Sequence, residues 1–215
     1  MSNGNGYSHM IKNIIFDLGG PLVDIDYNLT SKAFKNLGAH NFDEMYTQAK
    51  QTELFDLYET GKISSNEFRQ QLKSILCIEH IANDDFDNAW NSMIIDFSPK
   101  KLSLLKKLKN KYRLFLYSNI NEIHIDCVNK IIYKSCQINN LNSFFEKIYL
   151  SHLCGFRKPH PESFIKILQD NHLAAEETLF IDDSKQHIFG AQSAGIKAIL
   201  LTRDLSIDDA VKLAG

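Results

Sequence analysis

Five short runs of β-branched, aromatic and aliphatic residues stand out along the chain, at 11–16, 112–117, 147–150, 178–181 and 197–201. Most are separated by stretches with helical spacing. Such alternation predicts a parallel sheet whose crossover helices cover both faces, a three-layer Rossmann-like α/β core. The helix signals are local and readable. Ser98 and Pro99 supply an N-cap and a first-turn proline ahead of Leu102, Leu105 and Leu108. The lysines at 106, 107, 109 and 111 then complement that helix's C-terminal end. Pro159 and Pro161 open a helix carrying Phe164, Ile165 and Leu168, and Gly195 ends one that begins near Ser184.

One interval breaks the rhythm. About ninety residues separate the first apolar run from the second, where a simple crossover needs only about a dozen. The pattern inside is helical. Ser64 and Glu67 have capping-box spacing, and Phe68, Leu72, Ile75 and Leu76 follow on one face. Residues 53–59 and 85–95 also read as amphipathic helix. The expected organisation is a core of residues 9–25 and 97–215 with an inserted helical bundle at 26–96. Residues 1–8, rich in Ser, Asn and Gly, lack the apolar stretch of a signal peptide and are expected to be disordered.

Composition narrows the class without naming a chemistry. Of 215 residues, 44% are hydrophobic and 23% charged, with a net charge of −2. That balance offers no electrostatic footprint for nucleic acid or an anionic membrane, and no apolar run approaches the ~20 residues that span a bilayer. Cys77, Cys127, Cys136 and Cys154 form no C-x-x-C pair. They read as reduced, mostly core thiols of a cytoplasmic protein. The histidines show no zinc-ligand spacing. The expected partner is a small molecule, and the chain is expected to be a monomer or weak dimer.

The candidate chemistry sits where strands end. Asp17 closes the first run and is followed by Leu18-Gly19-Gly20-Pro21, which delivers one carboxylate into a loosened turn. Asp before Gly is also ordinary turn chemistry. The second run ends in Ser118-Asn119, a hydroxyl and an amide able to grip an anion. Lys158 precedes a proline that restricts its backbone, so its ammonium can be aimed at a fixed point. The fourth run enters Asp182-Asp183-Ser184. Adjacent acids near a further acid repel unless a cation intervenes, and oxygen ligands select a hard ion such as Mg²⁺. If the first and fourth strands are sheet neighbours, Asp17 and Asp183 share one rim with Ser118 and Lys158. That set describes phosphoryl transfer through an aspartyl-phosphate.

The four segments Phe16-Asp17-Leu18-Gly19-Gly20, Leu116-Tyr117-Ser118-Asn119, Gly155-Phe156-Arg157-Lys158-Pro159 and Phe180-Ile181-Asp182-Asp183-Ser184 resemble, in this order, the motifs of the haloacid dehalogenase-like hydrolase superfamily. Glu59-Thr60-Gly61-Lys62-Ile63-Ser64 looks like caps of its sugar-phosphate phosphatase branch, and Gly at position 19 is similar to glucose-1-phosphatase-like members. The resemblance implies a cap closing over a Mg²⁺-dependent phosphatase site for a small phosphorylated metabolite. It implies Asp17 as nucleophile and metal ligand, with the Gly19 carbonyl and Asp183 as further ligands and Asp182 as a ligand or orienting partner. Ser118 and Asn119 would hold the phosphoryl oxygens, and Lys158 would offset their charge and that of Asp17.

Two positions depart from the family pattern. Gly19 stands where relatives usually carry a second Asp as general acid and base, a loss worth on the order of 10²–10⁴ in rate; Asp24 or a residue of the insertion is a possible substitute. His187 stands where many relatives have Asp or Asn, and reads as a neighbour of the site rather than a ligand. Gly19 keeps open a catalytically impaired phosphate-ester binding protein, and a haloacid dehalogenase is the remaining alternative. Tyr27, Phe55, Tyr58 and Trp90 are candidates for the cleft wall, although apolar helical faces more often form core.

Overall fold

The computed structural model describes residues 10–46 and 53–214; the expectation for residues 1–8 lies outside the described residues. In chain order come β1 (Asn13–Phe16), β2 (Asp24–Ile25), α1 (Tyr27–Asn36), α2 (Phe42–Met45), α3 (Glu53–Glu59), α4 (Ser65–Ile75), α5 (Asn83–Asn91), β3 (Ile94–Asp96) and α6 (Pro99–Lys109). Then follow β4 (Arg113–Ser118), α7 (Glu122–Cys136), β5 (Lys147–Leu150), α8 (Ser151–Cys154), α9 (Pro161–Asp170), β6 (Thr178–Asp182), α10 (Lys185–Ser193), β7 (Lys197–Leu200) and α11 (Ile207–Ala214).

Five strands form one parallel sheet in the order β5-β4-β1-β6-β7. The chain winds outward from β1 in one direction, then returns to wind in the other. The carboxyl ends of β1, β4 and β6 therefore meet at the topological switch point, where open α/β sheets bind ligands. Period-two alternation explains the two covered faces. Ile14, Phe16, Leu114, Leu116, Leu179 and Ile181 point one way, onto Leu105, Leu108, Val128, Ile132 and Val211 from α6, α7 and α11. Ile15, Phe115, Tyr117 and Phe180 point the other way, onto Phe164, Ile167, Ile188 and Ala191 from α9 and α10.

The helices α1 to α5 bury a separate aromatic core of Phe34, Phe42, Phe55, Tyr58, Phe68, Phe86 and Trp90. The capping box at Ser64 and Glu67 is formed. The chain enters and leaves this insertion through β2 and β3, which pair antiparallel as a two-stranded hinge. Here the structure corrects the sequence reading: helix was expected through 95, but α5 stops at Asn91 and Ile94–Asp96 is strand. Pairing with β2 overrides the helical spacing. The cysteines also differ from expectation. Cys77, at a positive-φ position just past α4, is exposed and the other three are half-buried. Among the described residues no helix is long and apolar enough to cross a membrane.

Candidate active site

Asp17 follows β1 directly, and its backbone N–H still donates to the Ile181 carbonyl of β6 at 3.0 Å. Its side chain thus leaves the sheet at the rim, 8% exposed. The chain then reverses tightly, with the N–H groups of Leu22 and Val23 both donating to the Leu18 carbonyl. Gly20 is required at this turn on two grounds. Its φ is +86°, and a Cβ placed there would lie 2.6 Å from both Cγ and Oδ2 of Asp183. The Asp183 carboxylate therefore rests on the turn that follows the Asp17 strand, and both acids line one cavity.

Lys158 is fully buried, and its ammonium lies 2.8 Å from Asp17 Oδ1 and 2.8 Å from Asp182 Oδ2. The rings of Tyr117 and Phe180 flank it at 5.5 and 5.4 Å, a cation–π environment that favours the charge. Asn119 fixes the lysine's backbone: its Oδ1 accepts from the Lys158 N–H at 2.9 Å, and its Nδ2 donates to the Lys158 carbonyl at 3.0 Å. The side chain expected to hold phosphoryl oxygens is thus engaged at both ends in positioning Lys158. Ser118, buried at the end of β4, lines the cavity beside Asp17.

Asp182 is the structural member of the acid pair. Fully buried, it accepts from the Lys158 ammonium, from the Ser184 N–H at 2.7 Å and from His187 Nδ1 at 2.9 Å. Burial pushes its pKa upward, but Lys158 and His187 outweigh burial and hold it at about 2. For Asp17, burial dominates; assisted by Asp182 and opposed by Lys158, it lifts the pKa to about 6. Burial disfavours the Lys158 ammonium, yet the two carboxylates raise its pKa overall.

Asp17, Asp182 and His187 offer atoms within 4.8 Å of one another. A cation does not belong among them, because the ammonium already bridges the two acids and His187 Nδ1 serves Asp182. Asp183 lies outside this cluster, packed over Gly20 beside Asp17, and as a carboxylate it is the oxygen donor type that suits a hard ion.

The opposite wall of the cavity comes from the insertion: Tyr27, Tyr46, Glu59, Met93 and Ile94. Glu59 reaches it because Gly61 lets the following turn sit on the core. At Gly61 φ is +68°, and a Cβ would fall 2.1 Å from the His152 carbonyl oxygen. Arg157, immediately before Lys158, forms an ion pair with Glu59 Oε2 at 3.0 Å and another with Asp56. His124 closes the base, its ring stacked on Trp90 at 4.7 Å. Its Nε2 donates to the Trp90 carbonyl and its Nδ1 accepts from Asn121. Burial lowers its pKa to about 4, so it is a neutral, fully engaged imidazole.

Of the aromatic candidates, Tyr27 lines the cavity, whereas Phe55, Tyr58 and Trp90 are buried in the insertion's core. Asp24 is exposed and lines a different groove with Lys100 and Lys101, so it does not replace the missing second Asp. Glu59, Arg157 and His124 were not singled out from sequence as site residues. The adjacency of Arg157 to Lys158, and of Glu59 to the Gly61 turn, were the available signals.

A family model described as haloacid dehalogenase-like hydrolase matches residues 14–201. A D-ribitol-5-phosphate phosphatase of Bacteroides thetaiotaomicron is 35% identical over 188 residues, covering 87% of this chain and 90% of that protein. Among solved structures, an enzyme of the same family from Bacteroides thetaiotaomicron, an aspartate-to-alanine mutant in complex with magnesium and inorganic phosphate, superposes with a TM-score of 0.86. It is 32% identical, over 93% of this chain and 98% of that one. A HAD-like family hydrolase from Porphyromonas gingivalis gives 0.84 at 30% identity, over 95% and 98% of the two chains. With its sheet order, its strand-end carboxylates and these matches in agreement, the chain belongs to the haloacid dehalogenase-like hydrolase family.

Proposed function

We propose that the protein is a Mg²⁺-dependent phosphatase that hydrolyses a small phosphorylated metabolite, of the sugar-alcohol phosphate kind, through an aspartyl-phosphate on Asp17. The observation that carries this reading is the buried Lys158 ammonium 2.8 Å from both Asp17 and Asp182, on the floor of a cavity that Asp183 also lines. A positive charge held at the nucleophile suits an incoming dianion and the charge that develops in phosphoryl transfer. The D-ribitol-5-phosphate phosphatase and the magnesium and phosphate complex named above support the substrate and the metal.

In this reading residues 9–25 and 97–215 form the core and residues 26–96 its cap. Lys158 takes Asp17 Oδ1, which leaves the second carboxylate oxygen to the phosphorus and the cation side. Ser118 donates to a phosphoryl oxygen, and Asn119 holds the lysine in register. Asp17 forms a bond to phosphorus as the ester P–O bond breaks, and with Gly19 supplying no acid the ester oxygen takes its proton from solvent water. A second water then attacks phosphorus and gives its proton to solvent, the Asp17–phosphorus bond breaks, and inorganic phosphate departs. Asp17, the Gly19 carbonyl and Asp183 would hold Mg²⁺, which when bound supplies charge neutralisation and a template for the phosphoryl oxygens.

The test is phosphate release from p-nitrophenyl phosphate and D-ribitol 5-phosphate, with and without Mg²⁺, by the protein and by Asp17→Asn. Turnover that needs both the metal and Asp17 is expected. Tight ester binding without release, at high enzyme concentration with metal present, would instead establish the binding protein that Gly19 suggests. Halide release from a 2-haloacid in chelator would establish the dehalogenase.

A further inference from the structure

The geometry points to Glu59 and Arg157 as the residues that read the substrate's hydroxyl groups, which biases the site toward polyhydroxylated phosphomonoesters; the inference rests on the phosphatase reading above. Arg157 is tied to two acids of α3. Asp56 is largely exposed, with 58% of its side chain accessible, and by itself suffices as a surface latch between insertion and core. Glu59 is only 7% exposed and lines the cavity that holds Asp17 and Lys158. Burying a second carboxylate there is expensive and gains a latch little.

A carboxylate facing the nucleophile also repels a phosphate dianion, so it does not serve the phosphoryl group. Paired with a guanidinium at 3.0 Å, it presents an array of O–H acceptors and N–H donors, which matches neighbouring hydroxyls on a carbon chain. Among the described lining residues, the other polar groups are those around Asp17 and the Tyr27 and Tyr46 hydroxyls. Val23, Ile25, Met93 and Ile94 are apolar, and both nitrogens of His124 are engaged. Tyr27 and Tyr46 stand beside the pair, their rings 6.1 Å apart, and suit the C–H edges of a polyol chain.

The test compares D-ribitol 5-phosphate with n-pentyl phosphate, which has the same carbon count and no free hydroxyl. The protein is expected to favour the polyol ester by about 100-fold or more in kcat/KM, since a site built around buried polar groups rejects a partner lacking them. Glu59→Gln should lower kcat/KM for the polyol ester by about 10–100-fold, the range of one or two hydrogen bonds to a charged acceptor. For n-pentyl phosphate the change should stay within about threefold. Arg157→Lys should move the ratio the same way. A latch without a reading role would reduce both esters equally in both variants, and that outcome overturns the inference. Equal turnover of the two esters by the unmodified protein overturns it while leaving the phosphatase reading intact. Release from neither ester removes both.

Discussion

Lys158→Met removes the one ammonium that bridges Asp17 and Asp182 at 2.8 Å, in a place with no solvent access. Its consequence for stability follows from the two acids. Asp182 is held at about 2, against its usual 3.8, a depression worth about 2 kcal/mol that depends on Lys158 first among its favourable partners. Asp17 already stands at about 6. Without the lysine it rises further, and at pH 7 the folded state limits its loss by taking up a proton, at about 1 kcal/mol more than now. Together these give about 3 kcal/mol, in keeping with the roughly 3–5 kcal/mol typical of breaking a buried pair.

The sign with pH is fixed. A carboxyl raised in the folded state binds protons there that the unfolded chain releases, so its contribution is fully present below 3.8 and lost as pH rises through the folded value. The variant's deficit should therefore shrink by about 1 kcal/mol or more between pH 7 and pH 5. Urea unfolding of both proteins at the two pH values, in chelator, reads this directly. A deficit under about 1 kcal/mol at pH 7, or one that grows at pH 5, would refute the buried bridge as described.

Gly20→Ala should abolish phosphate release and cost about 1–2 kcal/mol in urea unfolding, because its Cβ strikes the Asp183 carboxylate. Gly38→Ala, also at positive φ but with nothing within 4 Å, should show the strain and keep the activity; equal activity in both would contradict the cradle. Mg²⁺ must displace a proton from an acid near 6, so calorimetric titration should show apparent affinity falling about tenfold per pH unit below that value, whereas a flat profile would place the ion elsewhere. Gly19→Asp restores a carboxylate two residues after the nucleophile, and its Cβ meets only the Ile25 side chain, with Cδ1 nearest at 3.0 Å. Hydrolysis of alkyl phosphates should rise by about tenfold or more, with little change for p-nitrophenyl phosphate, whose leaving group needs no proton. No gain with either ester would show that proton transfer is not limiting.

Much of the fold is legible because buried parallel strands are continuous apolar runs: the five expected strands match β1, β4, β5, β6 and β7 to within a residue or two. The strand-end position of Asp17, Ser118, Asp182 and Asp183 follows from the same pattern, whereas Lys158 comes from the loop between α8 and α9. The hinge strands β2 and β3 are too short to carry a period, and their exposed Asp24, Ile95 and Asp96 leave no apolar alternation. The division of labour between Asp182 and Asp183 depends on which side Lys158 approaches. The engagement of Asn119 with Lys158 likewise depends on a loop 39 residues away. Glu59 meets Arg157 only because the Gly61 turn lands on His152, a contact between segments far apart in the chain that no local spacing encodes.

The account stands most directly on where phosphorus goes. Rapid acid quench of the enzyme with Mg²⁺ and a substrate in its first turnover, followed by peptide mass spectrometry, should find one phosphoryl group on the fragment containing Asp17. Hydroxylamine should remove it, as for an acyl phosphate, and Asp17→Asn should never acquire it. Rapid turnover with no modified fragment at any quench time, or the phosphoryl group on a different residue, would contradict Asp17 as the nucleophile.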